Sequence, residues 1–358
     1  MAWDDSWGPW LALGLAKIPR LALARLLQEF KGAEAVLCAD KKILASIAGE
    51  KAASSIAGGA WHIPLKQARA WFCARPSARL VLWGEESYPP ALAEISSFPW
   101  LLWAWGDAGL LLQKKVAVVG SRQPTPAGAR AAREIACGLA EGGFVVVSGM
   151  ARGCDAAAHE GALEAEGGTI AVLGSGLDRP YPRENEKLFG RIAQKGLLLS
   201  EFPLGTPPLA QNFPLRNRII AGLSLGVVVA EAAHKSGSLI TARLAADFGR
   251  EVFAVPGSVY SSQSRGAHAL IKDGAALVES ADDVLLALGG SCIPKPAPAD
   301  APSSPLLQVM GYEAMEVEEI AAASRLPLGP LLEELMRLEM EGWVTRVPGG
   351  RFLRMSAP

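Results

Sequence analysis

The sequence predicts an α/β fold built on a Rossmann-like, doubly wound, mostly parallel sheet. Six short apolar segments rich in Val, Ile and Leu alternate with helical stretches; they are residues 116–119, 144–147, 170–173, 197–199, 227–229 and 252–255. Each has the length and the uninterrupted apolar character of a strand buried on both faces. The predicted helices between them cover residues 127–139, 155–164, 184–193 and 238–248. Such alternation implies right-handed βαβ units and hence a parallel sheet.

Residues 1–70 are predicted to form a helical domain. Apolar residues recur at helical spacing between positions 9 and 30, and further helical segments cover 34–38 and 41–56, with breaks at Gly14, Pro19 and Gly32. Short helices separated by such turns suggest a SAM-like or helix-hairpin-helix unit. A packing module and a binding module both fit this pattern.

Residues 71–288 are assigned to the Rossmann-like domain, whose first part, 71–112, is rich in tryptophan. Five of the ten Trp residues of the chain lie in this lead-in: Trp71, Trp83, Trp100, Trp103 and Trp105. Tryptophans at this density can stack on bases or cover a core. We favour a lid that packs on the following domain.

The C-terminal part is predicted to be a flexible linker, 289–306, followed by a winged-helix-like domain, 307–358. The linker is rich in Pro, Ala and Ser. Two helices, 316–323 and 328–341, precede a hairpin that turns at Gly349-Gly350. The second helix carries four Glu residues and one Arg, so DNA phosphates would be repelled by it. This pattern favours a protein-contact or structural role for the domain.

Composition argues for a cytoplasmic protein without a metal, cofactor or membrane anchor. The five Cys residues are scattered and form no C-x-x-C pair, which is typical of a reducing compartment. The N-terminus lacks the basic region of a secretory signal, and no apolar run reaches the length of a membrane span. The net charge of -1 is unusual for a nucleic-acid-binding protein. Affinity for phosphates, however, depends on where a few cations lie.

The loops that follow the strands hold the candidate site. They are Gly120-Ser121-Arg122, the segments 148–155, 174–178 and 212–218, and Lys235-Ser236-Gly237-Ser238. Ligands on a doubly wound sheet bind beyond the carboxyl ends of its strands, where glycine amides, hydroxyls and helix N-termini can donate to phosphates. Tyr181 and Phe213 add rings on which bases could stack. Apolar packing is an equal alternative for Phe213.

Together these loops resemble the DprA/Smf family of DNA-processing proteins of natural transformation. The resemblance is dense over residues 80–288 and most specific in the block Asn212-Phe213-Pro214-Leu215-Arg216-Asn217-Arg218-Ile219-Ile220. It implies a competence protein that binds single-stranded DNA, forms a homodimer through the Rossmann-like domain and loads RecA recombinase during DNA recombination. The segment 264–277 resembles the dimer edge of the family. No catalytic step is implied.

The resemblance also assigns roles to individual residues. Arg122, with Gly120 and Ser121, resembles a residue of the family that contacts the phosphate backbone. Lys235 resembles a further phosphate contact. Phe213 resembles the stacking part of the groove. The remaining candidates are basic or polar residues of the same motifs: Arg152, Arg183, Arg216, Asn217, Arg218 and Ser236. This prediction requires Arg122, Arg183 and Arg218 to line one continuous trough.

A nucleotide-processing enzyme is the alternative. Related Rossmann-like phosphoribohydrolases cleave nucleoside monophosphates with a Pro-Gly-Gly-x-Gly-Thr loop and a paired Glu, and this chain has no such loop. Glu201 and Glu231 lie at strand ends where a carboxylate could act. Helix capping or pairing with Arg216 or Arg218 is the simpler role for them.

Overall fold

A computed structural model describes residues 5–16, 18–59, 62–290 and 304–355 of the chain. Six helices form the N-terminal part: α1 (Trp7–Leu15), α2 (Arg20–Phe30), α3 (Ala33–Cys38), α4 (Lys41–Ala48), α5 (Glu50–Ala57) and α6 (His62–Cys73). The predicted helical segment 41–56 divides at Gly49, whose positive φ of 86° ends α4 and begins α5. The helical character of this region is therefore as predicted.

The central sheet contains nine strands within the described residues: β1 (Ala78–Leu82), β2 (Leu101–Gly106), β3 (Lys115–Val119), β4 (Val145–Ser148), β5 (Thr169–Val172), β6 (Leu197–Ser200), β7 (Gly226–Val229), β8 (Glu251–Ala254) and β9 (Ala276–Leu277). Their order is β1-β2-β6-β5-β4-β3-β7-β8-β9. In this spatial order, every pair of neighbouring strands from β6 through to β9 is parallel. Strands β1 and β2 form an antiparallel edge, in which β1 pairs with β2 and β2 pairs with β6. The predicted doubly wound, mostly parallel sheet is confirmed.

The six strands predicted from sequence are all present, with ends displaced by at most one residue. Sequence analysis missed β1 and β2, which lie in the Trp-rich lead-in, and the two-residue edge strand β9. The buried side chains of β1 and β2 belong to the same cores as those of the parallel strands, whereas both residues of β9 are exposed. Trp103 of β2 is fully buried, and its ring stacks on Phe72 of α6 at a centroid distance of 5.4 Å. Trp103 therefore packs between the N-terminal helices and the sheet. The lid prediction for this lead-in is wrong, because β1 and β2 extend the sheet itself by pairing with β6.

Helices cover both faces of the sheet: α7 (Pro90–Ala93), α8 (Pro126–Glu141), α9 (Cys154–Glu164), α10 (Glu186–Lys195), α11 (Asn212–Leu223), α12 (Ser238–Asp247), α13 (Arg265–Lys272) and α14 (Ala281–Ala287). Short 3₁₀ turns cover Ala108–Leu112 and Arg183–Asn185. Apolar residues of α7, α11 and α12 form one core with the sheet, and those of α8, α9 and α14 form another. This two-sided burial explains why the parallel strands are apolar throughout.

The C-terminal part contains α15 (Pro305–Val309), α16 (Val317–Ser324), α17 (Leu328–Met340) and a hairpin of β10 (Val344–Val347) and β11 (Arg351–Arg354). Met315 pairs with Phe352 in an antiparallel bridge beside the hairpin. Three helices followed by a hairpin make a winged helix, as predicted. Most of the predicted linker, residues 291–303, lies outside the described residues. Its last two residues were wrongly included, because α15 begins at Pro305.

No helix among the described residues is long and apolar enough to cross a membrane.

Candidate nucleic-acid interface

A groove of about 890 Å³ opens at the carboxyl ends of β3, β4, β5 and β7. Strand β3 pairs with β4 on one side and β7 on the other, so the chain winds away from this point in both directions. A crevice forms at such a switch point because the neighbouring loops diverge. Nine predicted site residues line this groove: Gly120, Ser121, Arg122, Arg152, Phe213, Arg216, Asn217, Lys235 and Ser236.

The wall of the groove carries a cation and two aromatic rings in contact. The guanidinium carbon of Arg122 lies 5.3 Å from the centroid of the Phe213 ring. The ring of Tyr181 lies 5.6 Å from that of Phe213, tilted by 36°. Arg122 is exposed, and no carboxylate in the described ranges forms an ion pair with it. A cation that forms no ion pair thus lies beside stackable rings.

The loop after β4 is held from both sides by buried charges. The carboxylate of Asp155 accepts hydrogen bonds from the amides of Gly149 (3.1 Å) and Ala151 (3.3 Å). The guanidinium of Arg216 donates to the carbonyls of Gly149 (2.6 Å) and Val172. A Cβ atom at position 149 would lie 2.7 Å from both charged side chains. Only glycine fits between them without displacing one.

Burial shifts the pKa values of both charged groups. Desolvation lowers the pKa of Arg216 to about 10, although Asp155 opposes this shift, so the guanidinium is charged at neutral pH. Desolvation raises the pKa of the Asp155 carboxyl, opposed by Arg216 and the two amides. Only 3% of Arg216 is exposed, and its Nε and Nη1 donors are used by groups of the protein. It therefore shapes the loop beneath the groove, which differs from the predicted role as part of the basic surface.

The predicted trough shared by Arg122, Arg183 and Arg218 is wrong. Arg218 is buried and forms an ion pair with Glu201, at the end of β6. Arg183 is exposed at the start of a 3₁₀ turn and does not line the groove. The physical reason lies in α11: residues 216 and 218 sit about 200° apart on a helix, so they point in different directions. Treating this block as a loop concealed that separation.

The N-terminus of α8 is occupied by a carboxylate of the protein. Glu231, which follows β7, accepts hydrogen bonds from the amide (3.1 Å) and hydroxyl (2.5 Å) of Thr125. Thr125 in turn caps the helix by accepting from the amide of Gly128 at 3.0 Å. The sequence suggested that the amides of this helix N-terminus, together with Gly120-Ser121-Arg122, donate to a phosphate. The structure contradicts that suggestion, because an internal anion fills the position.

The remaining polar residues of the groove lie at its rim. Lys235 is exposed in the turn that precedes α12. Ser236 lies beside it, with its hydroxyl 2.7 Å from that of Ser238. Arg152 is exposed but forms an ion pair with Glu184. A phosphate at this point must compete with that carboxylate.

Sequence analysis missed several groove residues. Gln123, Ile240, Thr241 and Gln263 also line it. Gln123 directly follows a predicted motif, and Thr241 lies within a predicted helix. Their nearness to these predicted segments was the signal that could have identified them. Gln263 comes from the loop after β8, and no pattern in the sequence marks it.

Comparison with known proteins identifies the family. Residues 79–289 match the family model described as DNA recombination-mediator protein A. The chain belongs to this family. Residues 293–350 match the DprA winged helix domain. The DprA/Smf resemblance is thus confirmed.

Two curated relatives illustrate the similarity. Protein Smf of Escherichia coli K12 is 41% identical over 303 residues, which cover 80% of this chain and 81% of the relative. DNA processing protein DprA of Streptococcus pneumoniae R6 is 50% identical over 201 residues, covering 56% of this chain and 71% of the relative.

Two solved structures are also similar. The X-ray structure of DprA from Streptococcus pneumoniae matches with a TM-score of 0.69 and 37% identity, covering 79% of this chain and 98% of that one. DNA processing protein A from Helicobacter pylori, described for its single-stranded DNA binding mode, matches with a TM-score of 0.54 and 34% identity. That match covers 59% of this chain and 95% of the other.

Proposed function

We propose that the groove binds single-stranded DNA. The observation that carries this proposal is the contact of Arg122, Phe213 and Tyr181 in a groove open to solvent. Bases of an unpaired strand are free to stack on aromatic rings, while guanidinium and ammonium groups bind the phosphates between them. The two rings and the cation of this wall therefore match a single strand better than a closed duplex.

The groove also offers donors that carry no base specificity. Exposed Lys235 lies in the loop after β7, the strand that pairs with β3 and so neighbours the loop of Arg122. Ser121 and Ser236 contribute hydroxyl groups. Contacts of this kind position a backbone without reading its sequence. The overall charge of -1 does not exclude such binding, because phosphate contacts depend on where individual cations lie, and exposed Arg122 and Lys235 both line the groove.

Replacing the exposed arginine tests this proposal. We expect Arg122→Ala to weaken binding of single-stranded oligonucleotides about tenfold, to a similar extent for all sequences, because it removes both a phosphate-binding cation and a cation–π interaction. The slope of log affinity against log salt concentration should become shallower by about 0.7 for each phosphate that the variant no longer neutralises. Fluorescence anisotropy over a salt series, with single-stranded and duplex oligonucleotides, measures both quantities.

Arg191→Ala is the matched control, since Arg191 is exposed on α10 and does not line the groove. Its effect on the affinity and on the salt slope should be no larger than that of removing one positive charge outside the groove. Equal affinities for wild type and Arg122→Ala at moderate salt would contradict the assigned groove. Stronger binding of duplex than of single strands would contradict the assigned substrate.

We also propose that this binding role is non-catalytic. The two carboxylates that the nucleotide-processing alternative requires are engaged, Glu201 with Arg218 and Glu231 with Thr125. Burial raises the pKa of Cys154 to about 12, so its thiol is protonated at neutral pH and is a poor nucleophile. Release of free base from a panel of nucleotides, lost on Glu201→Gln or Glu231→Gln, would support the enzyme instead.

The finer biological role that we propose is loading of RecA on single-stranded DNA in the cytoplasm, during transformation and recombination. Its support is the recombination-mediator description of the family. Addition of the chain to single strands coated with a single-strand-binding protein should raise the DNA-dependent ATPase activity of RecA. An unchanged ATPase activity would contradict this step and leave DNA binding intact.

A homodimer through the segment 264–277 is part of the same proposal. This segment forms α13 and β9, and β9 is an edge strand of the sheet whose two residues are exposed. An open strand edge with an exposed leucine, Leu277, is a surface that a second copy can cover. A monomeric mass in sedimentation equilibrium at micromolar concentration would contradict this assignment.

A further inference from the structure

Helix α17 of the winged helix carries an exposed row of large apolar side chains. Leu328, Leu332, Met336 and Met340 are 60%, 42%, 57% and 85% exposed. Their spacing of four residues aligns them along one ridge of the helix. The other apolar residues of the helix, Leu331, Leu335 and Leu338, are buried in the core of the domain. The ridge is therefore additional to the face that stabilises the fold.

Acidic residues flank this ridge. Glu333 and Glu339 lie three residues before and after Met336, which places them beside it on the helix surface. Glu339 pairs with Arg346 at 3.4 Å, whereas no cation in the described ranges forms an ion pair with Glu333. The positive charge of Arg337 is shared by Glu334 (2.7 Å) and Glu341 (2.6 Å). Across residues 304–355, eight Glu face five Arg, a net charge of -3.

Two occupants do not fit this surface. In a winged helix the second helix of the helix-turn-helix enters the DNA groove, but leucines, methionines and carboxylates have no favourable contact with phosphates. A second copy of α17 fails for a different reason. Centred on Met336, a parallel arrangement places Glu333 against Glu333, and an antiparallel arrangement places Glu333 against Glu339. Like charges would meet in both cases.

We propose that this ridge docks a basic amphipathic helix of another protein. The ridge extends over the thirteen residues of α17, or about 18 Å from the first to the last, which matches a partner helix of three to four turns. The partner presents apolar residues at helical spacing to Leu332 and Met336 and Lys or Arg residues to Glu333 and Glu339. This inference does not depend on DNA binding in the groove, which belongs to a different part of the chain.

Two labelled helical peptides test the proposal against the full chain. One carries leucines in a row at spacing four with lysines on both flanks, and the other is identical except that glutamates replace the lysines. We expect the basic peptide to bind at least about tenfold more tightly in fluorescence anisotropy, because rim charges discriminate between partners. The double variant Leu332→Ser, Met336→Ser should lose at least tenfold in affinity for the basic peptide.

Variants at exposed positions make the result interpretable. Glu333→Lys should reduce the preference for the basic peptide severalfold, and Leu112→Ser, which removes an exposed leucine elsewhere, should leave it unchanged. An unchanged circular dichroism spectrum and an unchanged thermal unfolding transition would show that each variant keeps the folded winged helix. Equal binding of the two peptides, or unchanged binding by the double variant, would overturn the proposal. Displacement of the peptide by duplex DNA, or a smaller oligomer on Leu332→Ser, Met336→Ser, would assign the ridge to DNA or to a second copy.

Discussion

Replacing Arg216 by alanine should destabilise the sheet domain by about 3–5 kcal/mol, the range found when one partner of a buried charged network is removed. The substitution leaves the carbonyls of Gly149 and Val172 without their donor. It also leaves the buried Asp155 carboxylate without the nearby positive charge that opposes its desolvation. A change of this size corresponds to a fall in Tm of about 10 °C for a domain of this length.

Thermal unfolding followed by circular dichroism measures this effect. Arg216→Lys keeps the charge but lacks the planar group that reaches two carbonyls, so we expect it to recover only part of the lost stability. In the double variant Arg216→Leu, Asp155→Leu no buried charge is left unpaired, and it should be less destabilised than the sum of the two single variants.

The same experiment separates a structural role from a direct DNA contact. Arg122→Ala removes an exposed side chain and should change the free energy of unfolding by less than about 0.5 kcal/mol while it weakens DNA binding. Arg216→Ala should instead lower the free energy of unfolding strongly and have the smaller effect on DNA binding. An Arg216→Ala protein with the wild-type Tm and no affinity for DNA would assign Arg216 to the binding surface after all.

Acidification should destabilise the protein through His159, which is fully buried on α9. Its Nδ1 lies 2.7 Å from the hydroxyl of Thr169, and that hydroxyl donates to the carbonyl of Val146. Thr169 is thus the acceptor, Nδ1 carries the proton, and Nε2 has no partner among the described residues. A second proton on Nε2 would be buried without an acceptor. Desolvation, and secondarily the charge of Arg216, lower the pKa of His159 to about 3.

The sign of the pH effect follows from this shift. Below about pH 6.5 the unfolded chain binds a proton that the folded chain does not, so stability decreases as the pH falls towards 3. The expected loss is about 1.4 kcal/mol per pH unit, or about 2–3 kcal/mol between pH 6.5 and 4.5. Urea unfolding at a series of pH values measures it.

The non-titrating variants His159→Leu and His159→Gln isolate the contribution of this residue. Gln keeps a donor for Thr169, whereas Leu does not, so the two variants differ in stability at neutral pH. Both should nevertheless lose the same His-dependent part of the pH slope. Parallel pH profiles for wild type and both variants would show that folding does not lower the pKa of His159.

The difference between predicted and observed structure is clearest in α11. The block 212–218 was treated as a loop, yet Asn212–Leu223 is a helix. Its residues from 218 to 223 are buried on every side, so no amphipathic period marks it. The antiparallel strand β2 escaped prediction for a related reason: its Trp103 packs on Phe72 of α6 and its Trp105 on Phe189 of α10, and neither helix is a neighbour of β2 in the sequence.

What the sequence determined by itself is the parallel sheet and the family, because uninterrupted apolar segments specify strands buried on both faces and the loop motifs are local. It also determined that Arg122 and Phe213 belong to one site, since strands of a doubly wound sheet end at a common edge. Only the tertiary structure decided which arginines face solvent. Arg122 lies in the open groove, Arg216 binds carbonyls beneath it, and Arg218 pairs with Glu201. Burial and pairing depend on residues that are far apart in the chain, and no local pattern contains them.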